Sequence, residues 1–269
     1  FTFIFFITLL SLSHTQLQAS IPKHISFQHK MQAGSAYQDP ISVIFQYSEG
    51  YIWLGGQSAL YRYDGYDFES FSRVTLSSGT KTKSINRVID IIEDKSGRIW
   101  VANMNGLSIF DRDLDSLRQF PGGLGNSAIN RIIELPNGKI AAASYAGVVI
   151  IDPSDFSTIQ ISQETGGNTS LPENVITNML IDAKNQFWVS TNKGLSHIDI
   201  ESLEVTNYLF EMTLTLPVEH LVEDHQGNLW LGGGVNLFHF NQQNNTFTKI
   251  DAKQNTPNPL YYGYVISLY

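Results

Sequence analysis

At 269 residues, with 42% hydrophobic and 12% aromatic side chains, the chain can bury a sizeable core. A net charge of −8 and the lack of any basic run argue against a phosphate-binding, nucleic-acid surface. The absence of cysteine excludes disulfides, thiolate chemistry and Cys-containing zinc sites, without fixing the compartment.

Phe1 to Leu10 is an apolar run of signal-peptide h-region length, too short to span a bilayer as a helix. A polar stretch follows, and Leu17-Gln18-Ala19 offers a cleavage site. Residues 1–19 therefore read as a signal peptide, N-terminally incomplete because it has neither an initiating Met nor a basic start. Residues 20–40 read as a lead-in segment.

From residue 41 the chain repeats. One anchor position is filled by Trp53, Trp100, Ala141, Trp188 and Trp230, at intervals of 47, 41, 47 and 42 residues. Three places before it stands a turn former: Gly50, Gly97, Gly138, Asn185 and Gly227. Seven places after it comes Leu60, Leu107, Val148, Leu195 or Leu237; eleven places after comes Asp64, Asp111, Asp152, Asp199 or Asn241. An upstream strand reads Ile41-x-x-Ile44, Val88-x-x-Ile91, Ile129-x-x-Ile132, Ile176-x-x-Met179 and Val218-x-x-Leu221. Three copies add Asp94, Asp182 and Asp224 three residues on. A looser strand closes each copy.

Four short strands per repeat of 41–47 residues, joined by tight turns, predict an all-β chain: a β-propeller of four-stranded antiparallel blades. The blades fall at about 41–71, 88–120, 129–161, 176–208 and 218–250. A partial sixth begins at 265–269, so the chain reads as a fragment of a larger propeller. Trp53, Trp100, Trp188 and Trp230 are expected to pack between blades as structural anchors. In the third copy, where Ala141 replaces tryptophan, Tyr145 is expected to restore bulk.

No catalytic motif is present. The repeated aspartates suit turn capping better than calcium, since they lie one per blade. His197 and His239 share a repeat position and read as packing or surface groups rather than metal ligands. No cofactor and no metal site are expected. Ligands of propellers bind where loops converge at the channel mouth. The rim candidates are Gln57, Arg87, Asn103, Met104, Arg131, Tyr145, Asn178, Asn192 and His220.

The run Val88-x-x-Ile91-x-x-Asp94-x-x-Gly97-x-Ile99-Trp100-Val101, followed by Gly106-Leu107 and Asp111, resembles the two-component regulator propeller repeat. Gly50-Tyr51-Ile52-Trp53-Leu54-Gly55 and Leu60-Tyr61-Arg62-Tyr63-Asp64-Gly65-Tyr66-Asp67-Phe68 resemble the opening blade of the family's periplasmic sensor regions, and Ile25-Ser26-Phe27 fits its lead-in strand. The likeness covers about residues 24–269; Ala141, Asn185, Asn241, Ala59 and Asn236 depart from the pattern. It implies a non-catalytic periplasmic sensor, the N-terminal part of a homodimeric receptor anchored in the inner membrane. The histidine kinase or diguanylate cyclase output lies in a missing C-terminal part. The implied ligand is a small molecule, carbohydrate or peptide, with no nucleic-acid partner. Two rival readings on the same scaffold are a lyase of the streptogramin-lyase type, for which His220 is the rim base, and a protein-binding scaffold.

Overall fold

The computed structural model describes residues 39–122, 124, 127–210, 217–250 and 265. The expected signal peptide, most of the lead-in segment and residues 266–269 of the partial repeat lie outside them.

Five sheets follow one another along the chain, each built on four antiparallel strands in sequence order, the second of them extended to six. Blade 1 is β1 (Ile41–Gln46), β2 (Ile52–Gly56), β3 (Leu60–Tyr63) and β4 (Phe68–Phe71). A hairpin, β5 (Arg73–Thr75) and β6 (Thr82–Ser84), comes next. Blade 2 is β7 (Val88–Glu93), β8 (Ile99–Asn103), β9 (Gly106–Asp111) and β10 (Ser116–Gln119). Blade 3 is β11 (Ile129–Glu134), β12 (Ile140–Ser144), β13 (Gly147–Ile151) and β14 (Thr158–Ile161). Blade 4 is β15 (Ile176–Ile181), β16 (Phe187–Thr191), β17 (Gly194–Ile198) and β18 (Val205–Leu209). Blade 5 is β19 (His220–Glu223), β20 (Leu229–Gly233), β21 (Asn236–Asn241) and β22 (Thr246–Lys249).

The hairpin had no counterpart in the repeat pattern. It joins the outer edge of blade 2, where β5 pairs parallel with β10 and extends that sheet to six strands. Val74 on β5 is buried and ties it to the core.

The turn formers take the left-handed backbone their position demands. Gly97 has φ 76° and Gly138 φ 82°, and Asn185 holds the same place at φ 62°. Aspartates eleven places after the anchor cap the next turn. Asp199 Oδ1 accepts the Glu201 and Ser202 amides at 3.0 and 2.7 Å, and Asn241 does the same for Gln243 and Asn244.

Strand alternation sends neighbouring residues of one strand into different seams. On β8, Trp100 and Ala102 face blade 3, whereas Ile99 and Val101 face blade 1. This is why β8, β12 and β16 are buried along their whole length. Four apolar clusters result, one per seam. Each of three tryptophans fills the seam to the following blade: Trp53 meets Phe110 edge-on at 4.8 Å, Trp100 meets Phe156, and Trp188 meets Phe240.

The aspartate six places before the anchor serves that tryptophan. Asp94, Asp182 and Asp224 each accept an indole N–H at 2.9 Å on Oδ2, while Oδ1 takes two amides of the turn. In blade 3 both members change together, to Leu135 and Ala141. Both are buried in one cluster with Phe187 and Ile150, so Leu135 fills the seam. Tyr145 does not restore the missing bulk, because it is 58% exposed on the following turn. In blade 1 the aspartate is replaced by Tyr47, and the buried Trp53 indole N–H has no partner among the described residues.

Candidate functional site

Each inner strand starts at the end of its sheet where the second strand finishes: Val88 pairs with Asn103, Ile129 with Ser144 and Ile176 with Thr191. The turns after the second strands and the entries to the inner strands thus gather at one end of the blades. The opposite end carries the Asp–Trp turns. An open cleft of about 580 Å³ also lies at that opposite end, lined by Tyr47, Ser48, Glu93, Lys95, Arg112 and Glu134 among others. Its glutamates are engaged in clamping blades: Glu93 accepts the Ser48 amide and hydroxyl, and Glu134 the Lys95 amide. Glu223 accepts the Ala183 amide in the same way between blades 4 and 5.

At the loop end the inner strands of blades 1 to 4 share an irregularity. The register slips by one residue between Ile41 and Val43, Val88 and Asp90, Ile129 and Arg131, and Ile176 and Asn178. Such a bulge lets two residues three apart face the same side, which explains the Val88-x-x-Ile91 spacing in a strand of period two. It also turns the residue between them toward the neighbouring blade. Asp90 accepts the Ile91 amide on Oδ1 and the Ile132 amide of blade 3 on Oδ2, both at 3.0 Å. Asn178 repeats the arrangement, accepting the Met179 amide at 2.8 Å and donating to the Glu219 carbonyl of blade 5 at 2.9 Å. Burial raises the Asp90 carboxyl above its usual range, against the pull of Arg131 and the two amides. Asp90 was absent from the sequence candidates, although an acidic residue between two core aliphatics was its signal.

The nine candidates fall into distinct surroundings. Gln57, Arg87 and Met104 meet at the seam of blades 1 and 2: the Arg87 amide donates to the Gln57 carbonyl at 2.8 Å, and the Met104 amide reaches the Asn86 and Arg87 carbonyls. All three side chains are exposed. Arg87 holds φ 28°, an uncommon backbone for a non-glycine residue. Asp39 fixes this loop, accepting the Gln57 and Ser58 amides at 2.9 Å and the Tyr61 hydroxyl at 3.0 Å. Burial works to raise the Asp39 carboxyl, but these bonds prevail and hold it below its usual range.

Asn103 is different. It is 2% exposed, and its Oδ1 accepts the Asn105 amide at 2.9 Å, so it builds the turn that presents Met104 instead of facing a ligand. Asn192 accepts the Val218 amide at 3.3 Å and so joins the turn of blade 4 to the entry of blade 5. Arg131 is exposed beside Asp90, and Tyr145 stands out from blade 3. His220 pairs in register with Gly232 on β20 and is half-buried.

His197 and His239 lie across from Trp188 and Trp230 on the adjoining strands, with ring centroids 5.0 and 4.8 Å apart. Burial lowers the His197 pKa. Among the described residues no three His, Asp or Glu side chains group to hold a metal.

The sequence profile of the two-component regulator propeller family matches residues 82–105 and 170–193. A histidine kinase from Formosa agariphila is 25% identical over 169 residues, which is 58% of this chain but 12% of that protein. Among solved structures, the extracellular domain of a hybrid two-component system from B. thetaiotaomicron superposes with a TM-score of 0.63 at 19% identity, covering 80% of this chain and 28% of that one. The virginiamycin B lyase of Staphylococcus aureus shares the fold with a TM-score of 0.60 at 16% identity, over 81% of this chain and 71% of the lyase. The chain therefore spans a small part of the signalling proteins it matches, and the structural likenesses establish the propeller fold.

Proposed function

Because the chain carries repeats of the two-component regulator propeller family, we propose that it is the ligand-binding sensor of a signalling receptor, exported to the periplasm and non-catalytic in itself. The observation that carries this reading is a contrast within the repeat. Scaffold positions agree from blade to blade, whereas the loop end does not: four places after the anchor stand Gln57, Met104, Tyr145, Asn192 and Gly234. The second residue past each inner-strand entry is Val43, Asp90, Arg131, Asn178 or His220. A regular frame that presents a different side chain from each blade suits recognition of one asymmetric small molecule, a carbohydrate or peptide.

The receptor in this reading is a homodimer anchored in the inner membrane, with its kinase or cyclase output elsewhere in the protein. A ligand bridging several blades shifts the receptor only by its differential affinity for two arrangements. The test is a thermal-shift screen of the chain against oligosaccharides and peptides, with ligand consumption followed by mass spectrometry. A saturable rise in Tm without turnover is expected. Turnover that disappears in His220→Ala would replace the sensor with an enzyme.

A further inference from the structure

In a chain of net charge −8, one sector of the loop end is cationic. Arg131 enters blade 3 with a side chain 50% exposed. Among the described residues its one ion pair is with Asp90, at 3.7 Å from Nε to Oδ2, beyond hydrogen-bond length. Asp90 already accepts two amides, so the guanidinium donors of Arg131 remain available. Arg87, one blade back, is exposed and has no ion pair among the described residues, while its backbone is held by Gln57 and Met104. Lys83 adds a charge beside Met104, where it donates to the Asn105 carbonyl at 3.2 Å. Of the carboxylates at this end, Asp39 is occupied by Gln57, Ser58 and Tyr61. Glu173 and Glu219 belong to the entries of blades 4 and 5. No other blade places a cation at either arginine position: the counterparts of Arg131 are Val43, Asp90, Asn178 and His220, and those of Arg87 are Pro40, Ala128, Val175 and Pro217.

We propose that the sector of blades 2 and 3 binds an oxyanion on the sensed ligand, a carboxylate, sulfate or phosphate, with Arg131 as its forked donor and Arg87 as a second cation. The proposal rests on the sensor reading and narrows its ligand class. Its physical logic is that a guanidinium beside a buried carboxylate is pre-positioned yet unsaturated. An incoming oxyanion gains two parallel N–H donors without displacing an existing hydrogen bond.

The experiment measures Tm of the chain against glucuronate, glucose and sodium sulfate at constant ionic strength. Glucuronate and sulfate raise Tm saturably and glucose does not. Sulfate acting alone would assign the site to inorganic anions or sulfate esters, and glucuronate alone to carboxylates. Arg131→Gln weakens anion affinity about tenfold or more, the loss expected for a charge-assisted pair, and Arg87→Gln weakens it less. Arg118→Gln, which alters an arginine paired with Asp111 on the outer strands, leaves it unchanged. Since Arg131→Gln strands Asp90 beside a neutral group, Arg131→Gln/Asp90→Asn repeats the measurement with the carboxylate also neutralised. Unchanged anion affinity in both variants overturns the proposal. So does the absence of any anion response when a neutral oligosaccharide or peptide raises Tm in the screen, a result that leaves the sensor reading standing. No response to anything in either experiment removes both.

Discussion

Trp53, Trp100, Trp188 and Trp230 occupy one repeat position, but their indole N–H groups differ in satisfaction. Three donate to an aspartate six residues earlier and one has no partner among the described residues. Blade 3 shows the alternative, a leucine and an alanine in the same two places. The pair is thus a unit: the aspartate is useful while the tryptophan is present, and costly to orphan. Trp188→Ala should cost about 3–5 kcal/mol through the cavity it leaves. Asp182→Leu should cost about 1–3 kcal/mol for each buried donor it abandons. The double variant, which copies blade 3, should cost less than the sum by about 1 kcal/mol or more in urea unfolding. Strict additivity would mean that the two side chains are independent. The third such aspartate gives a pH signature. Asp224 is held down to about 2 from 3.8, first by the Trp230 indole and then by the Asn228 and Gln226 donors, against burial. A depressed carboxyl stabilises the fold above 3.8, and that contribution is lost as pH falls from 3.8 through about 2. Asp224→Asn should therefore lower Tm at neutral pH, and the two Tm curves should converge toward pH 2. Parallel curves would remove Asp224 from the acid limb.

At the scale of the element, the bulged inner strand does two jobs. It keeps Val88 and Ile91 in the seam, and it turns Asp90 outward to hold the Ile132 amide of the next blade. Asn178 makes the complementary link between blades 4 and 5, donating to the Glu219 carbonyl. Asp90→Ala leaves the Ile91 and Ile132 amides without their acceptor and should cost about 1–3 kcal/mol, whereas Asp90→Asn should restore part of it, since its single carboxamide oxygen can still accept one of the two and burial already penalises the charge. Equal losses in chemical denaturation would show that the charge, not the hydrogen bond, matters there. This element also marks where the sequence was legible. Paired aliphatics, turn glycines and anchor residues specify seams and turns locally, so strands and blade order could be read from spacing. The β5–β6 hairpin could not, because its partner β10 lies some forty residues on and Val74 is its one deeply buried side chain. Nor could the burial of Asn103, since a polar turn residue looks the same in sequence whether it serves its own backbone or a ligand.

For the whole molecule, what a repeat position is worth depends on whether a neighbouring blade covers it. Ile91, Ile132, Met179 and Leu221 share one position and are 2–5% exposed, each lying against the blade before it. Ile44 holds that position in blade 1 and is 71% exposed, with Ile41 at 39% where Val88 and Ile129 are fully buried. The described blades thus form an arc whose first face is open. Its chemistry is that of the covered faces, as expected when stability is a sum of blade and seam contributions. Substituting the same residue type at the same position should then give two different outcomes. Ile91→Ala opens a cavity in the seam of blades 1 and 2 and should cost about 2–5 kcal/mol. Ile44→Ala removes little buried area and should change stability by no more than about 0.5 kcal/mol. Urea midpoints of the two variants, measured at low protein concentration, decide the matter. A loss at Ile44 as large as that at Ile91 would mean that blade 1 is covered in solution by protein surface beyond the described arc.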